Sequence, residues 1–222
     1  MRAHNLKRRM VAFLGALLVG GGTTAGALPH AEADPQGIES AFVTVGERTL
    51  TVDEFIDEAR GAAPEAPMVG GFLIDFPQWV QCFTINDAEM VIKEYSTWWN
   101  GQEEKKRLKC GNGGQSGFGY KHIREAHEGD WQAKLNKITP TGLFPNVAWD
   151  DLMSAATVNA LMVPDYTENV SGSKRCYVVK MGFYNQNRVL IDAYNVRVIA
   201  ATNNDRVITA LPLKDGKSFC NY

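Results

Sequence analysis

The feature that most constrains the fold of this 222-residue chain is a change of pattern at Arg175. Beyond it the sequence consists of short runs rich in β-branched and aromatic residues, which are typical of strands. These runs cover residues 176–183, 189–193, 196–202 and 206–211. The turn-forming sequences between them are Asn185-Gln186-Asn187, Tyr194-Asn195 and Asn203-Asn204-Asp205. The pattern predicts a four-stranded antiparallel meander.

Helical signals precede these strands. Thr51 and Glu54 form a capping box after a short hairpin pattern in residues 41–51. Apolar residues at helical spacing then predict helices over residues 52–61, 86–99 with a solvated end over 102–109, and 149–162. A polar loop is expected over residues 165–174. N-terminal helices followed by an antiparallel meander indicate an α+β fold.

The first 33 residues have the three parts of a secretory signal peptide. A basic segment contains Arg2, Lys7, Arg8 and Arg9. An apolar run over residues 11–19 follows, and Ala31-Glu32-Ala33 is a cleavage site. The apolar run is shorter than the roughly 20 residues that span a bilayer. We therefore expect a secreted or envelope protein without stable membrane insertion after cleavage.

The remaining residues 34–222 divide at a linker. Pro64 and Pro67 lie in a segment with several glycines, so residues 34–71 are predicted to be an N-terminal extension with a short helix. Residues 72–222 form the predicted α+β domain. Removal of the signal leaves 19 basic and 24 acidic residues. This balance argues against a protein that coats nucleic acid, but it is compatible with an enzyme that has a local basic cleft.

The four cysteines all follow the signal peptide, so two disulfides are expected after export. Three pairings are possible. We favour Cys82–Cys110 and Cys176–Cys220, because each closes a local unit, and the first would hold the base of a glycine-rich loop. The C-x-x-C spacing of a zinc site is absent, and neither a metal nor a cofactor is expected.

Both histidines outside the signal peptide, His122 and His127, follow the glycine-rich loop. Histidine is the side chain whose ordinary pKa lies near neutral pH, so this segment is the natural place for proton transfer. Five positions on a helix separate the two residues by about 140°, which differs from an H-x-x-x-H zinc pair. The loop has neither the P-loop pattern nor the dinucleotide-binding pattern.

Metal-independent RNA cleavage suits these residue types. The substrate supplies its own nucleophile, the 2′-hydroxyl, and the protein must supply a base, an acid and a cation. His122 and His127 are candidates for the proton transfers. Lys121 and Arg124 are candidates for phosphate binding, and Tyr120 and Trp131 for base stacking. Thr209 is a lone hydroxyl in the last strand, where a structural role is equally compatible with its β-propensity.

A G-x-x-H-I segment after a glycine loop, a second histidine, a helix and a meander ending in V-I-T-A-L-P resembles the barnase–EndoU–colicin–RelE superfamily of endoribonuclease toxins. The resemblance covers residues 111–213. It implies that His122 is the main acid–base residue, with His127 as its polar partner. It further implies that Lys121, Arg124 and Arg206 face phosphate and that Thr209 lines the active site. His122 and Thr209 should then face one cleft.

The expected function is therefore a secreted endoribonuclease, acting as a bacterial toxin on RNA. Its expected partners are RNA and an immunity protein, and we expect a monomer. A non-catalytic secreted or envelope-associated binding protein is the alternative, with the histidines incidental. A secreted hydrolase of another class is a third possibility, although Gly114-Gln115-Ser116-Gly117 is one residue short of the serine-hydrolase motif.

Overall fold

A computed structural model describes residues 40–60, 73–99, 101–214 and 220. The predicted signal peptide and the predicted linker lie outside the described residues. No helix in the described ranges is both long enough and apolar enough to cross a membrane. The fold is α+β, with antiparallel sheets and two disulfides.

The described chain contains eight strands and four α-helices. The strands are β1 (Phe42–Val45), β2 (Arg48–Thr51), β3 (Val91–Trp99), β4 (Gln102–Lys109), β5 (Tyr166–Val170), β6 (Lys174–Tyr184), β7 (Leu190–Ala201) and β8 (Val207–Pro212). The helices are α1 (Val52–Arg60), α2 (Phe76–Trp79), α3 (Gly119–Ile138) and α4 (Trp149–Met162). One π-helical turn, Val80–Thr84, continues α2, and one 3-10 turn, Thr139–Thr141, follows α3.

The main sheet has six strands and is wider than the predicted meander. Its order is β2-β1-β6-β7-β8, and β5 also pairs with β6. Strand β5 covers residues 174–178 of β6, whereas β1 covers residues 181–184, so two short strands share one edge of a long one. The predicted turn at Tyr194-Asn195 is wrong, because β7 runs through it and pairs Asn195 with Lys180. Part of the predicted polar loop over residues 165–174 is β5.

The N-terminal hairpin and helix are part of this sheet and its core. The predicted capping box is present, since the Glu54 carboxylate accepts the Thr51 amide at 2.8 Å and the Thr51 hydroxyl accepts the Glu54 amide at 3.2 Å. Phe55, on the inner face of α1, is fully buried and makes edge contacts with Phe144 and Phe183. Residues 42–60 therefore belong structurally to the domain that follows.

The helix predicted over residues 86–99 is wrong, because this segment forms strand β3, paired with β4 in a separate hairpin. The capping residues of the sequence pattern are misleading here, since Asn86 has a left-handed φ of 65° in a turn. In the strand, Tyr95 and Thr97 are buried while the residues between and beside them are more exposed. That period of two is the strand signal, and β-branched and aromatic residues reinforce it.

The hairpin is fastened to the main sheet by charged groups at the β7–β8 turn. The buried Lys106 ammonium donates to the carbonyls of Ala201 at 2.9 Å and Asn204 at 3.2 Å. Asp205 accepts Arg107 at 2.7 Å and lies 3.1 Å from the Lys109 ammonium. The prediction of a solvated helix end over residues 102–109 is therefore wrong. These residues form β4, and several of their charged side chains bind the β7–β8 turn.

Both favoured disulfides are present, Cys82–Cys110 and Cys176–Cys220. The first joins the π-helical turn after α2 to the end of β4, and both of its sulfurs are fully buried. The second joins the start of β6 to Cys220 and packs with Val178 and Ile199 in a small apolar cluster. Cys110 directly precedes the glycine-rich loop, so the first bridge holds the base of that loop, as the sequence predicts.

Replacing Cys82 and Cys110 together with serine is expected to lower the free energy of unfolding by about 3–4 kcal/mol, since the bridge joins residues 28 positions apart. The matched Cys176→Ser, Cys220→Ser variant, with a separation of 44, is expected to lose about 4 kcal/mol. Urea denaturation under oxidising conditions measures both. A midpoint unchanged by either double substitution would contradict a stabilising role for that bridge.

Candidate functional site

The glycine-rich loop sets the position of the first turn of α3. The Lys121 amide donates to the Cys110 carbonyl at 2.9 Å, and Asn112 and Phe118 exchange two backbone hydrogen bonds. Gly111 and Gly119 both have left-handed φ angles, of 70° and 74°. A Cβ atom at Gly111 would lie 1.7 Å from the Phe118 carbonyl oxygen, so only glycine fits. The loop is therefore folded tightly against the helix that carries both histidines.

A cleft of about 480 Å³ opens between this loop, α3 and the last two strands of the main sheet. We call it the histidine cleft. Its lining residues are Gly114, Gln115, His122, Glu125, Ala126, His127, Arg197 and Thr209. The predicted meeting of His122 and Thr209 in one cleft is confirmed, although 87 positions of sequence separate them.

The two histidine rings lie close together and at right angles. Their centroids are 5.9 Å apart and their planes differ by 88°. The His122 Nδ1 atom is 2.9 Å from the Gly114 carbonyl oxygen, which can only accept, so this nitrogen carries a proton and donates it. In the neutral imidazole, the Nε2 atom of His122 is then the nitrogen without a proton.

The Glu125 carboxylate holds the loop in place beside His122. It accepts the Gly114 amide at 2.7 Å, while the carbonyl of the same glycine accepts His122. Gly114 is therefore bound to α3 at both of its polar backbone groups. Because Gly114 also has a left-handed φ of 82°, this latch depends on glycine.

His127 is partly buried, in an environment that disfavours its protonated form. Its Nδ1 atom is 3.6 Å from the nearest Asp130 carboxylate oxygen, too far for a hydrogen bond. Burial lowers the pKa of His127, and the charges of His122 and Arg197 lower it further, while Asp130 opposes this effect. The neutral imidazole, which can accept a proton, is thus the favoured form of His127 at neutral pH.

Two groups from the sheet complete the histidine cleft. The strand register pairs Arg197 with Leu211 and Ile199 with Thr209, so Arg197 and Thr209 lie diagonally on the same face. Thr209 is 1 % exposed, and its hydroxyl has no hydrogen-bond partner among the described residues. A buried hydroxyl without a partner costs free energy, and a ligand that accepts its proton would remove that cost.

Five other sequence-predicted site residues lie elsewhere. Tyr120 is buried and donates to Asp150 at 2.9 Å, and Trp131 is fully buried and donates to the Ala210 carbonyl at 3.1 Å. Neither lines the histidine cleft, and the fully buried Trp131 has no free ring face for a base, so its predicted stacking role is wrong. Lys121 and Arg124 border a neighbouring groove and not the histidine cleft.

The contacts of Arg206 indicate a structural role. Its guanidinium forms an ion pair with Glu89 and lies over the Phe118 ring, 4.4 Å from the centroid. It therefore braces the glycine loop and does not line the histidine cleft. The cation of the cleft is Arg197, which sequence reasoning missed. The sequence contains one indication of this role. Arg197 is a charged residue between two valines in a predicted strand, and the next strand carries Thr209.

No group of three or more histidine, cysteine or acidic side chains in the described ranges is arranged to hold a metal ion. The chain matches no protein-family model, and comparisons with curated proteins and with solved structures yield no similar protein.

Thr209→Val is expected to leave the free energy of unfolding unchanged or to raise it, because valine keeps the shape and removes an unpartnered hydroxyl. Thr97→Val is the matched control. Thr97 is equally buried, but its hydroxyl donates to the Leu161 carbonyl at 2.7 Å, so its loss should cost about 1 kcal/mol. An equal loss of unfolding free energy in both variants would contradict this expectation, because it would show that the Thr209 hydroxyl makes a stabilising hydrogen bond in the fold.

The stability of the fold is expected to depend on the protonation of His127. Because its pKa is lowered on folding, the unfolded chain binds more protons below about pH 6.5, and the free energy of unfolding falls as the pH drops through that value. The native protein should therefore lose stability relative to His127→Gln between about pH 8 and about pH 5. The pKa of Asp150, which burial raises to about 6, contributes to both proteins and cancels. A difference constant with pH would contradict this expectation.

Proposed function

We propose that this protein is a secreted, metal-independent endoribonuclease that cleaves RNA by attack of the 2′-hydroxyl on the adjacent phosphate. The observation that carries the proposal is the histidine cleft. It brings two histidines, one arginine and one unpartnered hydroxyl together at one hollow. These are the groups that such a reaction needs: two proton-transfer residues, a cation and a hydrogen-bond donor.

The proposed roles follow from the environment of each group. His127, whose pKa is lowered, is the general base that accepts the 2′-hydroxyl proton. His122, held by Gly114 through Nδ1, donates a proton from Nε2 to the leaving 5′ oxygen. Arg197 and the Thr209 hydroxyl bind the non-bridging oxygens as negative charge builds on the pentavalent phosphorus.

The wider context supports a toxin that acts after export. A signal-like N-terminus and two disulfides are compatible with a protein that must keep its fold outside the producing cell. The order of a histidine-bearing helix and a terminal strand with Thr209 supports membership of the barnase–EndoU–colicin–RelE superfamily. The producing cell would then need an immunity protein against this activity. A monomer is sufficient, because one chain supplies all four groups of the histidine cleft.

His122→Ala and Arg197→Gln are each expected to reduce RNA cleavage by at least about a hundredfold while the fold is retained, since each removes a group that acts on the reacting phosphate. The assay is cleavage of total RNA by the refolded, disulfide-bonded protein in EDTA. Arg188→Gln is the matched control, because Arg188 is exposed on the β6–β7 turn, and it should cleave normally.

Three results would count against the proposal. Absence of cleavage by the native protein at any concentration would favour the non-catalytic binding protein. Full activity of His122→Ala would show that the histidine cleft is not the site of cleavage. Cleavage that EDTA abolishes would exclude the metal-independent mechanism, but would leave an RNA-directed function in place.

A further inference from the structure

A second cleft, of about 640 Å³, lies on another face of the first half of α3. We call it the aromatic cleft. Its principal lining residues are Phe76, Trp79, Tyr120, Arg124, Trp149 and Asp150. Its volume is within the range of small-molecule sites, roughly 300–1,000 Å³. None of its residues contributes to the histidine cleft.

The aromatic cleft offers exposed ring surface. Phe76 is 77 % exposed and Trp79 is 42 % exposed, both in the short helix α2. The Trp79 and Phe83 ring centroids are 5.3 Å apart. The Tyr120 and Trp149 rings are buried and stacked on each other at 5.8 Å between centroids, so they form the wall of the cleft. Large apolar side chains that remain open to solvent beside a hollow mark surfaces that bind a partner. Flat rings specifically suit a flat, stacking ligand.

A polar group with unused capacity lies at the floor of the aromatic cleft. Asp150 is 1 % exposed, and its Oδ2 atom accepts the Tyr120 hydroxyl at 2.9 Å. Its Oδ1 atom has no hydrogen-bond partner among the described residues. A buried acceptor of this kind is stabilised by an N–H donor, which every nucleobase with an imino or amino group can supply.

A groove along α3 borders both clefts. This groove, of about 340 Å³, shares Arg124 and Glu128 with the aromatic cleft and Glu125 with the histidine cleft. Lys121 and Arg124 supply the cations of this groove. Glu128 forms an ion pair with Arg124 at 3.2 Å, and Glu125 is engaged by the Gly114 amide. The Lys121 ammonium donates to Asn86 Oδ1 at 2.5 Å and lies 5.5 Å from the centroid of the Phe83 ring. Both partners are neutral, so the charge of Lys121 is available to a phosphate.

We infer that the aromatic cleft is a base-binding subsite for single-stranded RNA whose scissile phosphate lies in the histidine cleft. One base stacks against Trp79 and Phe76 and donates an N–H to Asp150, and the backbone crosses the groove at Lys121 and Arg124. This inference rests on the proposed function for its choice of ligand. It adds a binding site that is separate from the reacting groups, so the two claims can fail independently.

The test uses a labelled single-stranded oligonucleotide that is 2′-O-methylated throughout, which lacks the attacking hydroxyl and can be bound without being cut. Trp79→Ala is expected to weaken its binding about tenfold or more, as measured by fluorescence anisotropy. Trp98→Ala is the matched control, because Trp98 is 57 % exposed on β3 outside the aromatic cleft, and its affinity should not change. With natural RNA, the Trp79→Ala defect is expected mainly in KM.

The outcomes separate the two claims. Equal affinity of Trp79→Ala and the native protein would overturn the base-binding inference, even if RNA is cleaved. Binding that depends on Trp79 would support it, even if natural RNA is not cleaved, in which case the nuclease proposal fails alone. Phe76→Ala, which alters a side chain that is 77 % exposed, provides the same comparison should Trp79→Ala not fold.

Discussion

The contact between α3 and β8 is the constraint on which the candidate site depends. Trp131 is fully buried there, and its indole N–H donates to the Ala210 carbonyl, one residue after Thr209. Near its N-terminus, α3 is held by the hydrogen bond from the Lys121 amide to the Cys110 carbonyl, beside the Cys82–Cys110 bridge. These two attachments fix the rotation of α3 about its axis and its position along β8. His122 and His127 are thereby placed opposite the face that carries Arg197 and Thr209.

The histidine cleft contains polar and charged groups whose interactions within the protein are incomplete. It contains a buried hydroxyl without a described partner, a histidine whose pKa is lowered, and an arginine whose charge acts on that histidine. Unsatisfied buried polar groups and shifted pKa values destabilise a fold, and they are found where a ligand compensates for them. An anionic phosphate is the ligand whose charge and oxygen atoms would meet all three conditions.

The parts predicted correctly from sequence are those with local signals. The capping box at Thr51 gave α1, and the helical run before Pro164 gave α4 with its observed bounds. The sequence signals misled at Asn86, where a turn resembled a helix cap. They also gave no information on which face of α3 is buried, so Trp131 and Tyr120 were assigned to substrate by residue type alone. Arg197 was missed because its proximity to His127 depends on how α3 packs across the strands.

The chemistry at the ends of the cleaved RNA tests the central claim most directly. If His122, His127 and Arg197 promote attack by the 2′-hydroxyl, a defined oligoribonucleotide incubated in EDTA should yield a 2′,3′-cyclic phosphate and a 5′-hydroxyl. The same oligonucleotide with one 2′-deoxy residue should resist cleavage at that residue alone. Mass spectrometry of the products reads out both results. A 5′-phosphate product, or unimpaired cleavage at the deoxy position, would contradict the account.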